Sequence, residues 1–495
     1  MQQSDIDGRG AQCRPDIVLL MTDQQRSDQV GFASGGFFET PALDGLAARG
    51  VRFDCAYSAS TTCVPARNAL LTGIQPHRLP RSDHPMALAE GMWTVPHVLR
   101  ASGYDTALFG KMHFTPMHAE HGFDIVRTSE HLSASWHALR PDGSPDVDDY
   151  HQWLVDLDLA TWERLEVGEA PVVRPGPPPA GEPPSFFPYD VRYHATTWIE
   201  REVSAFLDQR RSDRPLFLVI SFPHPHTPLN PPEPYRSLYA PDDTVVPTPG
   251  FEVNDRLPDA FRDAMGATDR AYKPWRVDVH GQAALRIRQS RIRALIRQID
   301  DAIGRVLARL DLDRTLVAFT SDHGDYGGHR GLASKMPWIP FDDLVRVPLV
   351  MAGPGITGGR RVPDVVQSSD LPLTFCEAAG IEVPVEQFDS CSLWPHLDVS
   401  AADADHERAA IFATTMGWPG VRRGSLKLIL HPPEFSSVLF DLDLDPDEAV
   451  NLSGDPARRQ EEKELGELLR ATFARSRPDL PTFPSRASAA DAPAR

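Results

Sequence analysis

The feature that most constrains the fold is a set of short, continuous apolar runs that end in polar residues. The first run is DIVLLMTD over residues 16–23, and comparable runs are PLFLVISF over 215–222 and TLVAFTSDHG over 315–324. Uninterrupted apolar runs of this length are typical of strands buried on both faces of a parallel sheet. Ligands of open α/β sheets bind beyond the carboxyl ends of such strands. The polar residues that follow the runs are therefore candidate site residues.

Helical periodicity between these runs predicts an α/β fold, with the clearest helices over 196–210 and 290–310. Residues 410–441 contain short and alternating apolar runs, and a helix is expected over 457–474. This pattern predicts a smaller C-terminal antiparallel sheet covered by a helix. The segments 128–190 and 231–283 lack a regular period, so we expect irregular loops that border the substrate.

Composition excludes several classes of function. The chain has 495 residues and a formal net charge of -19, which argues against general affinity for nucleic acid. It contains no apolar run long enough to span a membrane and no apolar signal-peptide core near its start, so we expect no membrane association and a cytoplasmic location. Its five cysteines are odd in number and unpatterned, which predicts neither a disulfide framework nor a zinc module.

Two of the strand ends offer metal ligands. Asp23 and Gln24 follow the first apolar run, and Asp322 and His323 follow the run that begins at residue 315. Two carboxylates and an amide oxygen suit a hard cation such as calcium, whereas the imidazole also admits manganese. The sequence therefore predicts one divalent-cation site at this edge of the sheet.

The stretch TTCVPARNALLTG over residues 61–73 predicts a loop that leads into a helix. Proline is tolerated in a first helical turn, and Gly73 suits a C-terminal stop. Cys63 would then lie where free backbone N–H groups and the helix dipole favour an anion. Arg67, about one turn further on, can lean back toward the same anion.

The pattern Cys63-x-Pro65-Ala66-Arg67, followed by Leu71-Thr72-Gly73, resembles the signature of the type I sulfatases of the alkaline phosphatase superfamily. The resemblance implies an alkaline-phosphatase-like mixed sheet sandwiched by helices. It also implies that a formylglycine-generating enzyme oxidises Cys63 to formylglycine, whose hydrated aldehyde is the nucleophile. An oxygen of this group would be a further ligand of the metal.

The same resemblance assigns roles to four further residues. Lys111 and His113 follow an apolar strand in the order seen in sulfatases, which implies contact with the sulfate group. His226, which fits a family Pro-His-x-Pro pattern better than His224, would lie near the leaving-group oxygen. Lys335 matches a family lysine on the sulfate and leaving-group side.

The resemblance spans about residues 14–470 and predicts four segments: a disordered N-terminus over 1–13, a catalytic domain over 14–383, a C-terminal subdomain over 384–475 and a disordered tail over 476–495. The predicted activity is hydrolysis of a small-molecule sulfate monoester. The natural substrate and the oligomeric state stay open.

Two alternatives also stay open. The Asp-Gln and Asp-His pairs look more like those of choline sulfatases and phosphonate monoester hydrolases, so a phosphonate monoester or phosphodiester hydrolase is the nearest rival. Lys111 and His113 favour sulfate. A more distant rival is a non-catalytic relative in which Cys63 stays a thiol and the pocket only binds an anion.

Overall fold

The computed structural model describes most of the chain. The described residues are 14–79, 91–114, 117–130, 147–159, 189–244, 256–271, 277–332, 334–398, 408–412, 417–431 and 436–476, with Leu88, Phe187 and Asn254. Over 266–271 and 277–280 only the backbone is described. Apart from Ser476, the two termini predicted to be disordered lie outside these ranges.

An eight-stranded mixed sheet forms the centre of the molecule, in the order β4-β3-β5-β1-β6-β7-β2-β8. Five of its neighbouring pairs are parallel, and β7 runs antiparallel to both of its neighbours. Its strands are β1 (Asp16–Asp23), β2 (Val51–Tyr57), β3 (Asp105–Gly110), β4 (Ile125–Thr128), β5 (Leu216–Pro225), β6 (Thr315–Ser321), β7 (Leu349–Ala352) and β8 (Arg360–Gln367). The apolar runs are therefore the central strands, as the sequence predicts.

Helices cover both faces of this sheet, because alternate residues of each strand point to opposite sides. In β1, Ile17 and Leu19 belong to one buried cluster, whereas Val18 and Leu20 belong to the cluster on the other face. The helices are α1 (Gly31–Ser34), α2 (Pro41–Arg49), α3 (Cys63–Thr72), α4 (Val95–Ala101), α5 (Asp149–Asp156), α6 (Ala195–Gln209), α7 (Asp259–Ala271), α8 (Val277–Leu307), α9 (Asp342–Val345), α10 (Leu371–Ala378), α11 (Trp394–Leu397) and α12 (Arg459–Phe473). The predicted α/β sandwich is confirmed. No helix within the described ranges is both long and apolar enough to cross a membrane.

The two segments predicted to be irregular both contain helices, so that part of the prediction is wrong. Helix α5 lies inside 128–190. Its partly buried Trp153 packs under the guanidinium of Arg201 on α6, 4.3 Å from the ring centroid, and against the buried cluster of one sheet face. Helix α7 lies inside 231–283, where Phe261 packs 4.9 Å from Trp418 of the C-terminal region. Only Phe261 and Met265 of α7 are buried large apolar residues among its described side chains, a stripe too narrow to be recognised from the sequence.

A second sheet of four antiparallel strands follows, in the order β12-β11-β10-β9. Its strands are β9 (Ala409–Phe412), β10 (Gly420–Arg423), β11 (Leu426–His431) and β12 (Ser436–Asp441), and α12 packs on it through Leu465 and Leu469. The side chain of Gln367, at the end of β8, joins the two sheets because its amide bonds both the N–H (3.1 Å) and the C=O (2.9 Å) of Ile411. The predicted small sheet with a covering helix is confirmed, while the domain boundary at residue 383 stays a prediction.

Candidate active site

The carboxyl ends of β1 and β6 bring the predicted metal ligands together with the start of α3. These two strands are parallel neighbours, so Asp23 at the end of one lies beside Asp322 and His323 after the other. Cys63 is the first residue of α3. One ligand atom from each of these four buried residues lies within 4.8 Å of the others.

Cys63 lies at the centre of this cluster. Its Sγ is 3.1 Å from His323 Nε2 and 3.8 Å from Asp23 Oδ1, and it accepts a hydrogen bond of 3.0 Å from Lys335 Nζ. Burial and the charge of Asp23 raise the pKa of the thiol, but neighbouring positive charges, chiefly Lys335 and also Lys111, outweigh them, so the pKa lies below its usual value. The cationic neighbours thus make the position favourable for a negative charge.

Arg67 lies behind the two carboxylates. Its Nε donates to Asp322 (2.8 Å), its Nη2 to Asp23 (3.1 Å), and its Nη1 to the Lys111 carbonyl (2.6 Å) and to Ser221 Oγ (2.9 Å). The side chain is 3% exposed. The sequence predicts that Arg67 leans toward the anion. Its contacts are instead with the predicted metal ligands and with the end of β3, which it holds in place.

Lys111 and His113 lie on the segment that follows β3, and Glu130 supports their turn. Lys111 Nζ forms an ion pair of 2.6 Å with Asp23. One carboxylate oxygen of Glu130 accepts the backbone N–H groups of Met112 and His113, each at 2.8 Å. Burial lowers the pKa of His113 well below its usual value, and the charges of Lys111 and Arg67 lower it further, so the imidazole is neutral at physiological pH.

Lys335 and His226 close the other side of the cluster. Lys335 Nζ is 3.3 Å from His226 Nε2 and 3.4 Å from His323 Nε2. Because His226 Nδ1 donates to the Thr227 carbonyl at 2.7 Å, its Nε2 presents a lone pair toward Lys335. His224 instead stacks on His194, with ring centroids 4.9 Å apart. His226, the better match to the family pattern, is therefore in direct contact with Lys335.

The donor atoms fit a divalent cation. His323 Nδ1 donates to the Gly324 carbonyl at 2.8 Å, which leaves the Nε2 lone pair directed at the cluster. Gln24 contributes a buried Oε1 with no hydrogen-bond partner in the described part of the chain. Buried polar atoms are rarely left unsatisfied. An amide oxygen, two carboxylates and one imidazole therefore offer ligands to a hard or borderline metal.

Sequence reasoning missed four residues that orient these groups: Ser221, Glu130, Arg288 and Asp325. Asp325 follows His323 by two positions in the motif DHGD, a signal that the sequence does contain. Ser221 is the single serine of the run over 215–222, where it could have been read only as a strand residue. Glu130 and Arg288 come from distant segments and carry no local signal.

Comparison with known proteins identifies the family. Residues 15–381 match the family model described as Sulfatase. An arylsulfatase of Clostridium perfringens (strain 13 / Type A) is 27% identical over 460 residues, which cover 89% of this chain and 90% of the relative. A choline-sulfatase of Rhizobium meliloti (strain 1021) is 29% identical over 456 residues, covering 90% and 83%.

A similar solved structure is a phosphonate monoester hydrolase of Silicibacter pomeroyi, with a TM-score of 0.74, 23% identity and coverage of 92% of this chain and 95% of that one. At this identity the likeness is one of fold. The family model, in contrast, covers most of the chain. The protein therefore belongs to the sulfatase family, within the alkaline phosphatase superfamily, and is a sulfuric ester hydrolase.

Proposed function

We propose that this chain hydrolyses a small-molecule sulfate monoester, with formylglycine formed from Cys63 as its nucleophile and one divalent cation as its cofactor. The observation that carries the proposal is the convergence of a metal-ligand set and of Lys335 on the single atom Cys63 Sγ. Calcium is the first choice for the cation and manganese the second. The proposed ligands are Asp23, Gln24, Asp322, His323 and residue 63.

The groups that maturation adds would supply the nucleophilic oxygen and a Lewis acid. Around them, the chain's own residues position charge. Asp23 stays ionised: burial raises its pKa, but neighbouring positive charges, Lys111 and Arg67 among them, outweigh burial and hold the pKa well below its usual value. Arg67 bonds Oδ2 of each carboxylate, and Oδ1 of each lies 3.9 Å from His323 Nε2, on the side of the proposed cation site.

Lys111 is suited to bind the sulfuryl oxygens. An ammonium carries three N–H donors, so its ion pair with Asp23 leaves donors for a second anionic oxygen. The neutral imidazole of His113 adds a hydrogen-bonding group without adding charge. Glu130 fixes the backbone of this turn and so keeps both side chains in one orientation.

Lys335 and His226 are suited to the leaving-group side. The 3.3 Å contact between Lys335 Nζ and His226 Nε2 allows the ammonium to donate to the imidazole lone pair. A substrate oxygen placed beside them would accept a further hydrogen bond from Lys335, because an ammonium has three N–H donors, as negative charge develops on that oxygen. Donors aimed at developing charge lower the barrier by about 3–4 kcal/mol each.

The first test is mass spectrometry of the tryptic peptide from Phe53 to Arg67, from protein produced together with a formylglycine-generating enzyme. We expect an aldehyde at position 63, with Cys55 in the same peptide as the unmodified control. An intact thiol at position 63, with the modifying enzyme active on a control substrate, would contradict the proposed nucleophile and favour a pocket that only binds anions.

The second test compares turnover of an aryl sulfate with that of the matching aryl phosphonate monoester. The rival phosphonate activity is favoured by the Asp23-Gln24 and Asp322-His323 pairs. We expect the aryl sulfate to have the higher kcat/KM. A large preference for the phosphonate would overturn the choice of sulfur and leave the proposed nucleophile and cation in place.

A further inference from the structure

The side chain of Gln24 occupies an environment that distinguishes the two ends of its amide. Its backbone has a left-handed conformation, with φ of 64°, and its N–H donates to Asp322 Oδ1 at 3.1 Å. Its side-chain Nε2 donates to Asp325 Oδ2. Its Oε1 is buried and has no hydrogen-bond partner among the described residues.

Asp325 determines which end of this amide faces the cation site. Every hydrogen bond that the structure gives its carboxylate is one that it accepts: from Gln24 Nε2, from Arg288 Nη2 at 3.0 Å and from the Gly327 N–H at 2.5 Å. Because the carboxylate accepts these bonds, the amide nitrogen of Gln24 must point at it. The oxygen then points the other way, and rotation of the amide would place two acceptors against each other.

Arg288 in turn anchors Asp325. The arginine lies on α8, its side chain is 6% exposed, and it forms a buried ion pair of 3.0 Å with Asp325. The carboxylate is therefore fixed from two sides, by a helix packed against the sheet and by the backbone of its own loop. A carboxylate held in this way can hold a neighbouring amide in a single orientation.

We propose that Asp325, anchored by Arg288, is a positioning residue that presents Gln24 Oε1 to the divalent cation. The inference rests on the cation site of the proposed function and extends it to two residues that do not contact the metal. Outer contacts of this kind typically change metal affinity 10–100-fold.

The test measures Mn²⁺ and Ca²⁺ dissociation constants of the full chain by isothermal titration calorimetry after removal of bound metal. We expect Asp325→Asn to weaken binding about 10–100-fold, because an asparagine at 325 can donate to Gln24 and release its orientation. Arg288→Lys keeps the carboxylate and should weaken binding less, which provides a milder variant if Asp325→Asn does not fold.

A matched control and a double variant separate positioning from a structural effect. Asp343 is also buried and pairs with an arginine, Arg26, at 2.9 Å, so Asp343→Asn should leave the affinity of the folded protein unchanged. In a Gln24→Ala background, Asp325→Asn should cause no further loss, because the side chain through which it acts is gone.

Three outcomes would contradict the positioning role of Asp325 or the cation site on which it rests. An affinity of Asp325→Asn equal to wild type would overturn the inference and leave the cation site intact. A loss of equal size in the Gln24→Ala background would show that Asp325 acts by another route and would also overturn it. Failure of the wild-type chain to bind either cation would contradict the proposed cation site itself, and the inference with it.

Discussion

Replacing Arg67 by methionine should destabilise the metal-free protein more than the metal-bound protein. Arg67 is the shared counter-charge of Asp23 and Asp322, and both carboxylates are 0% exposed. Methionine keeps much of the side-chain volume but removes four hydrogen bonds. Without a cation, Asp322 would keep only the 3.9 Å contact with His323 as an ion pair in the described structure.

The magnitude follows from the loss of one partner of a buried ion pair, which costs about 3–5 kcal/mol. Unfolding entropy scales at about 2.1 cal/mol/K per residue, so for a chain of 495 residues about 1 kcal/mol corresponds to about 1 °C in Tm. We therefore expect Tm to fall by about 3–5 °C in a chelator. A bound divalent cation offers both carboxylates an alternative counter-charge, so the fall should be smaller with saturating Ca²⁺ or Mn²⁺.

The assay is differential scanning calorimetry of Arg67→Met and wild type, each with chelator and with saturating cation. Arg309→Met is the control, because Arg309 pairs with Asp208 at 2.6 Å but both side chains are exposed, and such pairs contribute about 0–1 kcal/mol. Equal losses of Tm in chelator and in cation would refute the idea that Arg67 and the cation share these carboxylates.

Three further predictions concern stability and catalysis. Asp300 on α8 accepts the Ala42 and Leu43 N–H groups, each at 2.9 Å, and so caps the N-terminus of α2 from a different helix. Asp300→Ala should lower the free energy of unfolding by about 1–3 kcal/mol in urea titrations, and Asp300→Asn should lower it less. Burial raises the pKa of Asp343, but His329 and Arg26 outweigh burial and lower it to about 2. The ionised carboxylate therefore stabilises the folded state by about 2 kcal/mol above the pKa of the unfolded state, near 3.8, and this stabilisation disappears as the pH falls toward 2. The destabilisation caused by Asp343→Asn should accordingly disappear in acid. In steady-state assays of matured enzyme, Lys335→Met should lower kcat about 10²–10³-fold with a smaller change in KM, and an unchanged kcat would remove Lys335 from the leaving-group side.

Local sequence was sufficient for elements whose pattern reflects burial. The run over 16–23 could be recognised as β1 because a strand buried on both faces has no polar residue to interrupt it. The start of α3 at Cys63 and its end before Gly73 were readable for a similar reason, since Gly73 adopts the left-handed conformation that glycine favours. Helix α7 was missed because its described side chains include only two buried large apolar residues, Phe261 and Met265.

The sequence by itself determined the central strands, the helix that begins at Cys63, the family, and which polar residues follow the strands. It could do so because each of these depends on residues close together in the chain. Only the tertiary structure decided that Arg67 faces Asp23 and Asp322, that His226 contacts Lys335, and that Asp325 orients Gln24. These contacts join segments tens to hundreds of residues apart, and their geometry follows from the order of strands in the sheet, which no local pattern encodes.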